Sequence, residues 1–271
     1  MAELIVTNTA VSGQKGGFID LYADFCDKKN FTFIAGPCAV ESERQIMEIA
    51  KELKKTGVKY LRGGAFKART SPYSFQGLGE DGLKLLVKAG KEYGLKTVCE
   101  ITDQRNIDLY SGVDVLQIGA RNMQNFPLLL AVGKTDKPVI LKRGFSNTIE
   151  ELLSSAEYIF SEGNGKVILC ERGIRTFEKA TRNTLDLGAV AYLKKMTNLP
   201  VIVDPSHATG IASLVEPTSL AAAAVGADGL MIEVHSHPSE AKSDGKQAIT
   251  PSEFARLSER VKLVLGAISR K

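Results

Sequence analysis

Eight short apolar runs, each followed by a segment of helical periodicity, predict an α/β fold, a (β/α)8 TIM barrel. Three observations carry this. Most runs are continuous rather than alternating, the mark of parallel strands covered on both faces. Strand and helix segments alternate without a break from residue 31 to the end. A length of 271 residues also fits one such barrel. An open doubly wound sheet is the alternative, which eight evenly spaced units make less favourable.

Strands are expected at 31–36, 59–64, 96–102, 114–119, 138–144, 166–173, 199–205 and 228–234. Helices are expected between them. The segment 42–57 has a Ser N-cap, helical apolar spacing and a stopping glycine. Segments 81–94, 147–163, 213–226 and 250–268 read alike, and shorter helices fit 104–111, 125–133 and 186–197. Pro217 places the start of the seventh helix near Thr218. Residues 1–30 stand outside the pattern and are expected to cover the barrel bottom as a short hairpin. The chain thus divides into an extension, 1–30, and a barrel, 31–271.

Composition excludes several classes. Hydrophobic (44%) and charged (24%) contents are those of a globular protein. No apolar run reaches the ~18 residues of a membrane span. A net charge of +4 is too mild to point to nucleic acid. The N-terminus lacks the basic start and apolar middle of an export signal. The four cysteines, Cys26, Cys38, Cys99 and Cys170, have no metal or redox spacing among themselves. Thiols in a chain without an export signal point to the cytoplasm.

In such barrels chemistry sits at the C-terminal ends of the strands. Cys38, Arg62, Lys67, Glu100, Arg121, Lys142, Arg172, His207 and Glu233 fall there. The cations Arg62, Lys67, Arg69, Arg121, Lys142, Arg143, Arg172 and Arg175 are at or just after strands two, four, five and six. One arginine at a strand end is most often solvated or salt-bridged. Several converging cations repel one another unless they hold a highly charged anion. Arginine offers forked donors for phosphate or carboxylate, and lysine a point charge. A phosphorylated substrate is expected.

Cys38, His207, Glu233 and Asp244 would bring one sulfur, one nitrogen and two oxygens to the same mouth. Singly, each has a bland structural reading, and their scatter through the chain makes spacing alone a weak signal. As a set they suit Mn²⁺, Fe²⁺, Co²⁺ or Zn²⁺ better than Mg²⁺ or Ca²⁺.

Long segments then become recognisable: "FIAGPCAVES", "LRGGAFKARTSPYSFQGLG", "CERGIRTFE", "TRNTLDL", "VIVDPSHATG" and "GLMIEVHSHPSEAKSDG". From about residue 31 to the C-terminus the chain resembles 3-deoxy-D-arabino-heptulosonate 7-phosphate (DAHP) synthases. It is most similar to the short branch related to 3-deoxy-D-manno-octulosonate 8-phosphate (KDO 8-phosphate) synthase. The resemblance implies condensation of phosphoenolpyruvate with erythrose 4-phosphate, the first step of the shikimate pathway. It implies one divalent metal ion, Mn²⁺ first among the candidates, on Cys38, His207, Glu233 and Asp244. It implies that Arg62 and Lys67 hold phosphoenolpyruvate, that Arg121, Lys142 and Arg172 clamp its phosphate, and that the segment from Lys67 through Arg69 to Thr70 receives the acceptor sugar. Lys67 as proton donor, Glu100 as proton acceptor and His207 are the catalytic expectations. Family members are commonly tetramers or dimers.

Ala68 stands where the family usually has proline, so altered loop rigidity is expected rather than a changed reaction. The rival, KDO 8-phosphate synthase, takes arabinose 5-phosphate and has a longer motif with an asparagine in this loop. A metal-dependent aldolase and a barrel that only binds sugar phosphates are more distant readings. His237 is expected to be an exposed loop residue, and the role of His235 stays open. With about thirty residues before the first strand, fewer than the ~50 of a small domain, no regulatory domain is expected. Insensitivity to aromatic amino acids, chorismate and prephenate is therefore expected.

Overall fold

The computed structural model of the chain describes residues 21–27, 30–67 and 71–268. Eight parallel strands close into a barrel in sequence order. They are β1 (Thr32–Gly36), β2 (Tyr60–Arg62), β3 (Lys96–Ile101), β4 (Val115–Ile118), β5 (Val139–Lys142), β6 (Val167–Glu171), β7 (Val201–Val203) and β8 (Gly229–Glu233). The ring is closed by β1 on β8, with Ile34 opposite Met231 and Gly36 opposite Glu233.

The strands are bare of polar residues along most of their length because both faces are covered. Outward-facing residues such as Leu61, Leu116, Leu141, Leu169 and Leu230 pack under the helices. Inward-facing residues form a second core: Ile34, Tyr60, Val98, Val115, Ile140, Ile168, Cys170, Ile202 and Met231. A one-turn helix, α1 (Ala23–Cys26), adds Tyr22 and Phe25 to this inner core. The Tyr22 hydroxyl donates to the Val167 carbonyl at 3.2 Å, at the start of β6. Residues 21–27 thus pack onto the N-terminal end of the barrel interior. The hairpin expected for 1–30 falls, for residues 1–20, outside the described residues.

The outer helices begin and end where local chemistry dictates. The helix α2 (Glu43–Lys55) is capped by Ser42, whose side chain accepts from the Gln45 amide at 3.1 Å. Its neighbour α3 (Glu80–Tyr93) ends on Gly94. Next come α4 (Phe126–Gly133) and α5 (Ile149–Phe160), the latter opened by a reciprocal capping box of Thr148 and Glu151. Then follow α6 (Leu187–Met196), the short α7 (Pro205–Thr209), α8 (Ala212–Ala224) and α9 (Pro251–Ile268). Among the described residues no helix is long and apolar enough to cross a membrane.

Two elements differ from expectation. The connection after β3 is a nine-residue 3₁₀ helix, Gln104–Gly112, not an α-helix. At ~2.0 Å per residue rather than ~1.5 Å, it spans the barrel height with fewer residues. The second is α8, which starts at Ala212, not Thr218, and runs through Pro217. The proline withholds one amide, but the Thr218 and Ser219 hydroxyls donate to the Leu214 and Val215 carbonyls at 2.6 Å. Burial of Val215, Ser219, Ala222 and Ala223 holds the helix through the interruption.

Candidate active site and metal centre

Side chains two residues apart on a strand share a face. Advancing two positions from the inner apolar layer therefore gives the next inward layer: Arg62 after Tyr60, Glu100 after Val98, Gln117 after Val115 and Lys142 after Ile140. Arg172 follows Cys170, Asp204 follows Ile202, and Glu233 follows Met231. Five of these seven, Arg62, Glu100, Gln117, Lys142 and Arg172, line a cavity of about 250 Å³ at the C-terminal ends of the strands. Lys67, Arg121, His207 and Asp244 also line it. At Gly36, where φ is +148°, a Cβ would lie 2.1 Å from the Arg62 carbonyl oxygen, so glycine permits β1 and β2 to approach closely at this end.

Ligand atoms of Cys38, His207, Glu233 and Asp244 lie within 4.8 Å of one another. Cys38 Sγ is 3.2 Å from Asp244 Oδ2. His207 Nε2 is 3.1 Å from Glu233 Oε1 and 4.0 Å from Asp244 Oδ2. Glu233 is fully buried, and its Oε1 faces His207 Nε2 and, at 3.4 Å, Arg62 NH2. A buried carboxylate persists only beside such positive charge, which a bound cation would also supply. Sulfur, imidazole nitrogen and two carboxylates form a donor set that fits a borderline divalent ion.

The charges in this cluster hold each other ionised. Burial opposes charge on Glu233, but His207 and Arg62 keep its carboxyl well below the usual range. Burial likewise opposes the His207 imidazolium, but Asp204 and Glu233 raise it to about 9. Asp204 accepts from His207 Nδ1 at 2.7 Å and from the His207 amide at 2.9 Å. It also takes the Lys142 ammonium. Nδ1 is thereby committed, and Nε2 faces the Glu233 and Asp244 carboxylates.

Beside this cluster lies a cationic wall. Arg62 is buried, and its NH1 has no partner. Its NH2 is 3.4 Å from Glu233 Oε1. Burial pulls the Arg172 guanidinium down from its usual range, against the pull of Asp204. Phe145 braces the wall, its ring centroid 4.7 Å from the Arg172 guanidinium and 5.3 Å from that of Arg121. Lys67 donates to Cys38 Sγ at 3.0 Å. Burial opposes its charge, but Cys38 and Glu100 raise it, so it is an ammonium.

Some expectations fall elsewhere. Arg143 does not join the cations of the mouth. It follows Lys142 directly, so it faces outward, and its NH1 meets Glu171 and Asp186 at 3.0 Å each. Arg175 is exposed, with its guanidinium 5.0 Å from the centre of the Phe145 ring, and it does not line the cavity. Arg69 and Thr70 lie outside the described residues. His235 Nδ1 accepts from the His237 amide at 3.0 Å, and half-exposed His237 reaches Glu48. Neither belongs to the four-residue cluster. Asp204, Gln117, Phe145, Arg182 and Gln247 were not expected in or around the site. The two-residue period from the apolar layer would have found the first two.

The DAHP synthetase I family matches residues 24–266. A phospho-2-dehydro-3-deoxyheptonate aldolase from Thermotoga maritima is 55% identical over 242 residues, 89% of this chain and 72% of that protein. A crystal structure of that enzyme from the same organism superposes with a TM-score of 0.85, covering 88% of this chain and 70% of that one. A truncated form of the Thermotoga maritima synthase is 51% identical with a TM-score of 0.82, covering 88% of this chain and 87% of that one. A 2-dehydro-3-deoxyphosphooctonate aldolase from Francisella tularensis is 34% identical, over 80% of this chain and 85% of that protein.

Proposed function

Because the chain belongs to the DAHP synthetase I family, we propose that it condenses phosphoenolpyruvate with erythrose 4-phosphate, giving DAHP and inorganic phosphate. One observation supports this reading most. At one cavity, lined by Arg62, Lys142, Arg172, His207 and Asp244, the potential metal donors of Cys38, His207, Glu233 and Asp244 lie within 4.8 Å of one another, and a buried guanidinium nitrogen, Arg62 NH1, has no partner. A metal-assisted reaction of a substrate with a carboxylate and a phosphate fits both features.

Arg62, Arg121, Lys142 and Arg172 hold the carboxylate and phosphate of phosphoenolpyruvate, with the Arg172 guanidinium supported by Phe145. Cys38, His207, Glu233 and Asp244 would hold a divalent ion, which would supply Lewis acidity toward the aldehyde oxygen when bound. C3 of phosphoenolpyruvate attacks the aldehyde carbon, and Lys67 delivers a proton to the aldehyde oxygen. Positive charge develops at C2. Water adds there, and Glu100 accepts its proton. The bond from C2 to the phosphate oxygen then breaks, phosphate leaves with the proton of the new C2 hydroxyl, and the C2 ketone remains. The cationic wall keeps two mutually repelling phosphate esters at reacting distance.

Acceptor choice is tested by phosphate release with phosphoenolpyruvate plus either erythrose 4-phosphate or arabinose 5-phosphate, compared as kcat/KM. The four-carbon sugar should be preferred, consistent with 55% against 34% identity to the two kinds of relative. Preference for the five-carbon sugar would move the chain to the octulosonate reaction. No phosphate release with either would remove the condensation altogether.

A further inference from the structure

We infer that Arg182 and Gln247 are positioning residues that aim the two carboxylates of the metal cluster. The inference rests on the reading that Cys38, His207, Glu233 and Asp244 hold a divalent ion. Each carboxylate has one oxygen tied from behind and one turned inward. Arg182 NH1 donates to Asp244 Oδ1 at 3.1 Å and to Gln247 Oε1 at 3.0 Å. Gln247 Nε2 donates in turn to Glu233 Oε2 at 2.6 Å. One guanidinium nitrogen therefore fixes Asp244 directly and Glu233 through an amide. The remaining oxygens, Asp244 Oδ2 and Glu233 Oε1, face Cys38 Sγ and His207 Nε2.

The orientation of the Gln247 amide is forced. Arg182 has only donors, so it requires the amide oxygen. Glu233 is an ionised acceptor, so it requires the amide nitrogen. Gln247 is buried, and no other residue type presents a donor and an acceptor this way at the same length. The backbone is arranged to the same end. Asp244 is the one non-glycine among the described residues with positive φ, +56°. Such a conformation persists where surroundings hold it. A 3₁₀ turn, Gly245–Gln247, then brings Gln247 back to β8. Arg182 reaches this loop from the segment after β6. Its stem crosses Gly210, where φ is +70° and a Cβ would come within 2.7 Å of Arg182 Cβ. Three separate connections, after β6, β7 and β8, thus meet at one arginine side chain.

Positioning and simple electrostatics predict opposite signs. A positive charge beside a bound cation repels it, so electrostatics alone says that Arg182→Ala should tighten metal binding. By the same logic Gln247→Glu, which adds a negative charge, should tighten it too. Positioning predicts that both weaken it, because Asp244 and Glu233 lose the bonds that aim them. The loss expected for a supporting residue of this kind is about 10–100-fold in affinity.

The experiment titrates metal-stripped protein with Co²⁺ and follows the thiolate-to-cobalt absorption band, with circular dichroism to verify folding. Arg182→Ala and Gln247→Glu should each bind about 10–100-fold more weakly than wild type. Exposed Lys246, in the same loop, provides the purely electrostatic comparison: Lys246→Ala should bind equally or more tightly. If Arg182→Ala does not fold, Gln247→Met keeps the test decisive, because it removes both amide bonds at similar volume. Wild-type or tighter binding by the folded Arg182 or Gln247 variants overturns the inference alone. Failure of wild type to bind Co²⁺ overturns the metal reading, and this inference with it.

Discussion

The two ends of the barrel interior are built by the same eight strands and have opposite chemistry. At the N-terminal end, Tyr60, Ile140, Ile202 and Met231 close around Phe25 and Tyr22. Two residues farther along the same strands stand Arg62, Lys142, Asp204 and Glu233, all buried. The first layer is stabilised by removing apolar surface from water, roughly 25 cal/mol per Å². The second is costly in isolation, because each charge has lost its water. It persists because Lys142, Asp204, His207, Glu233 and Arg62 form a linked run of opposite charges. The difference teaches that one end secures the fold and the other spends part of that stability to hold atoms ready for ligands.

Asp204 should break the division most severely. It belongs to the mouth, yet it neutralises Lys142 and His207 in a buried place. Asp204→Ala should lower unfolding free energy by about 3–5 kcal/mol, the range for breaking a buried pair. It should also weaken metal binding and turnover together. Denaturant unfolding beside Co²⁺ titration checks this. Loss of activity at wild-type stability would mean that the mouth charges are not mutually supporting.

Phe25→Ala tests the opposite end. Phe25 is 1% exposed and packs on Tyr60 with ring centres 5.1 Å apart. Its removal should cost about 3 kcal/mol, the low end for a buried phenylalanine because a short segment can shift to fill space. Below the melting transition KM for phosphoenolpyruvate should not change. A raised KM at low temperature would show that the two layers are coupled.

At the mouth, Arg172→Ala should do the reverse. Losing a charge-assisted contact to a confined phosphate should lower kcat/KM for phosphoenolpyruvate about 10- to 100-fold, equivalent to about 1.4–2.8 kcal/mol. Because burial already disfavours the Arg172 charge, the melting temperature should hold or rise. Arg175→Ala should do less, since Arg175 is exposed and does not line the cavity. Initial-rate kinetics and calorimetry separate the two variants.

The eight strands were legible because continuous apolar runs have one physical explanation in a parallel sheet. The mouth was legible because polar residues that end such runs have few other places to go. Which way each one points was less so. Lys142 and Arg143 are adjacent and both basic, but the two-residue period sends only Lys142 inward. Asp204 gives no separate signal beside Pro205 and His207, since an aspartate before a proline also reads as a turn former. The Arg182–Gln247–Glu233 chain joins residues 65 and 14 positions apart, and no local pattern announces such a contact. Pro217 alone predicts a helix start because it lacks an amide, whereas the Thr218 and Ser219 hydroxyls that follow it bond the preceding turn.

The smallest expected effect concerns thiols. Burial pushes Cys99 and Cys170 up to about 12. At pH 8 neither should react with a thiol reagent in the native protein, whereas half-buried Cys26 should react slowly. Modification of Cys170, in the inner core, would mean that the apolar end opens more readily than the packing implies.

The central claim is that the charged end is a metal-dependent condensing site. Its most direct test is phosphate release from phosphoenolpyruvate and erythrose 4-phosphate by protein stripped of metal and checked by elemental analysis. Turnover should vanish in the stripped protein and return with Mn²⁺ or Co²⁺, but not in Cys38→Ser to the same extent. Full turnover in verified metal-free protein would contradict the account.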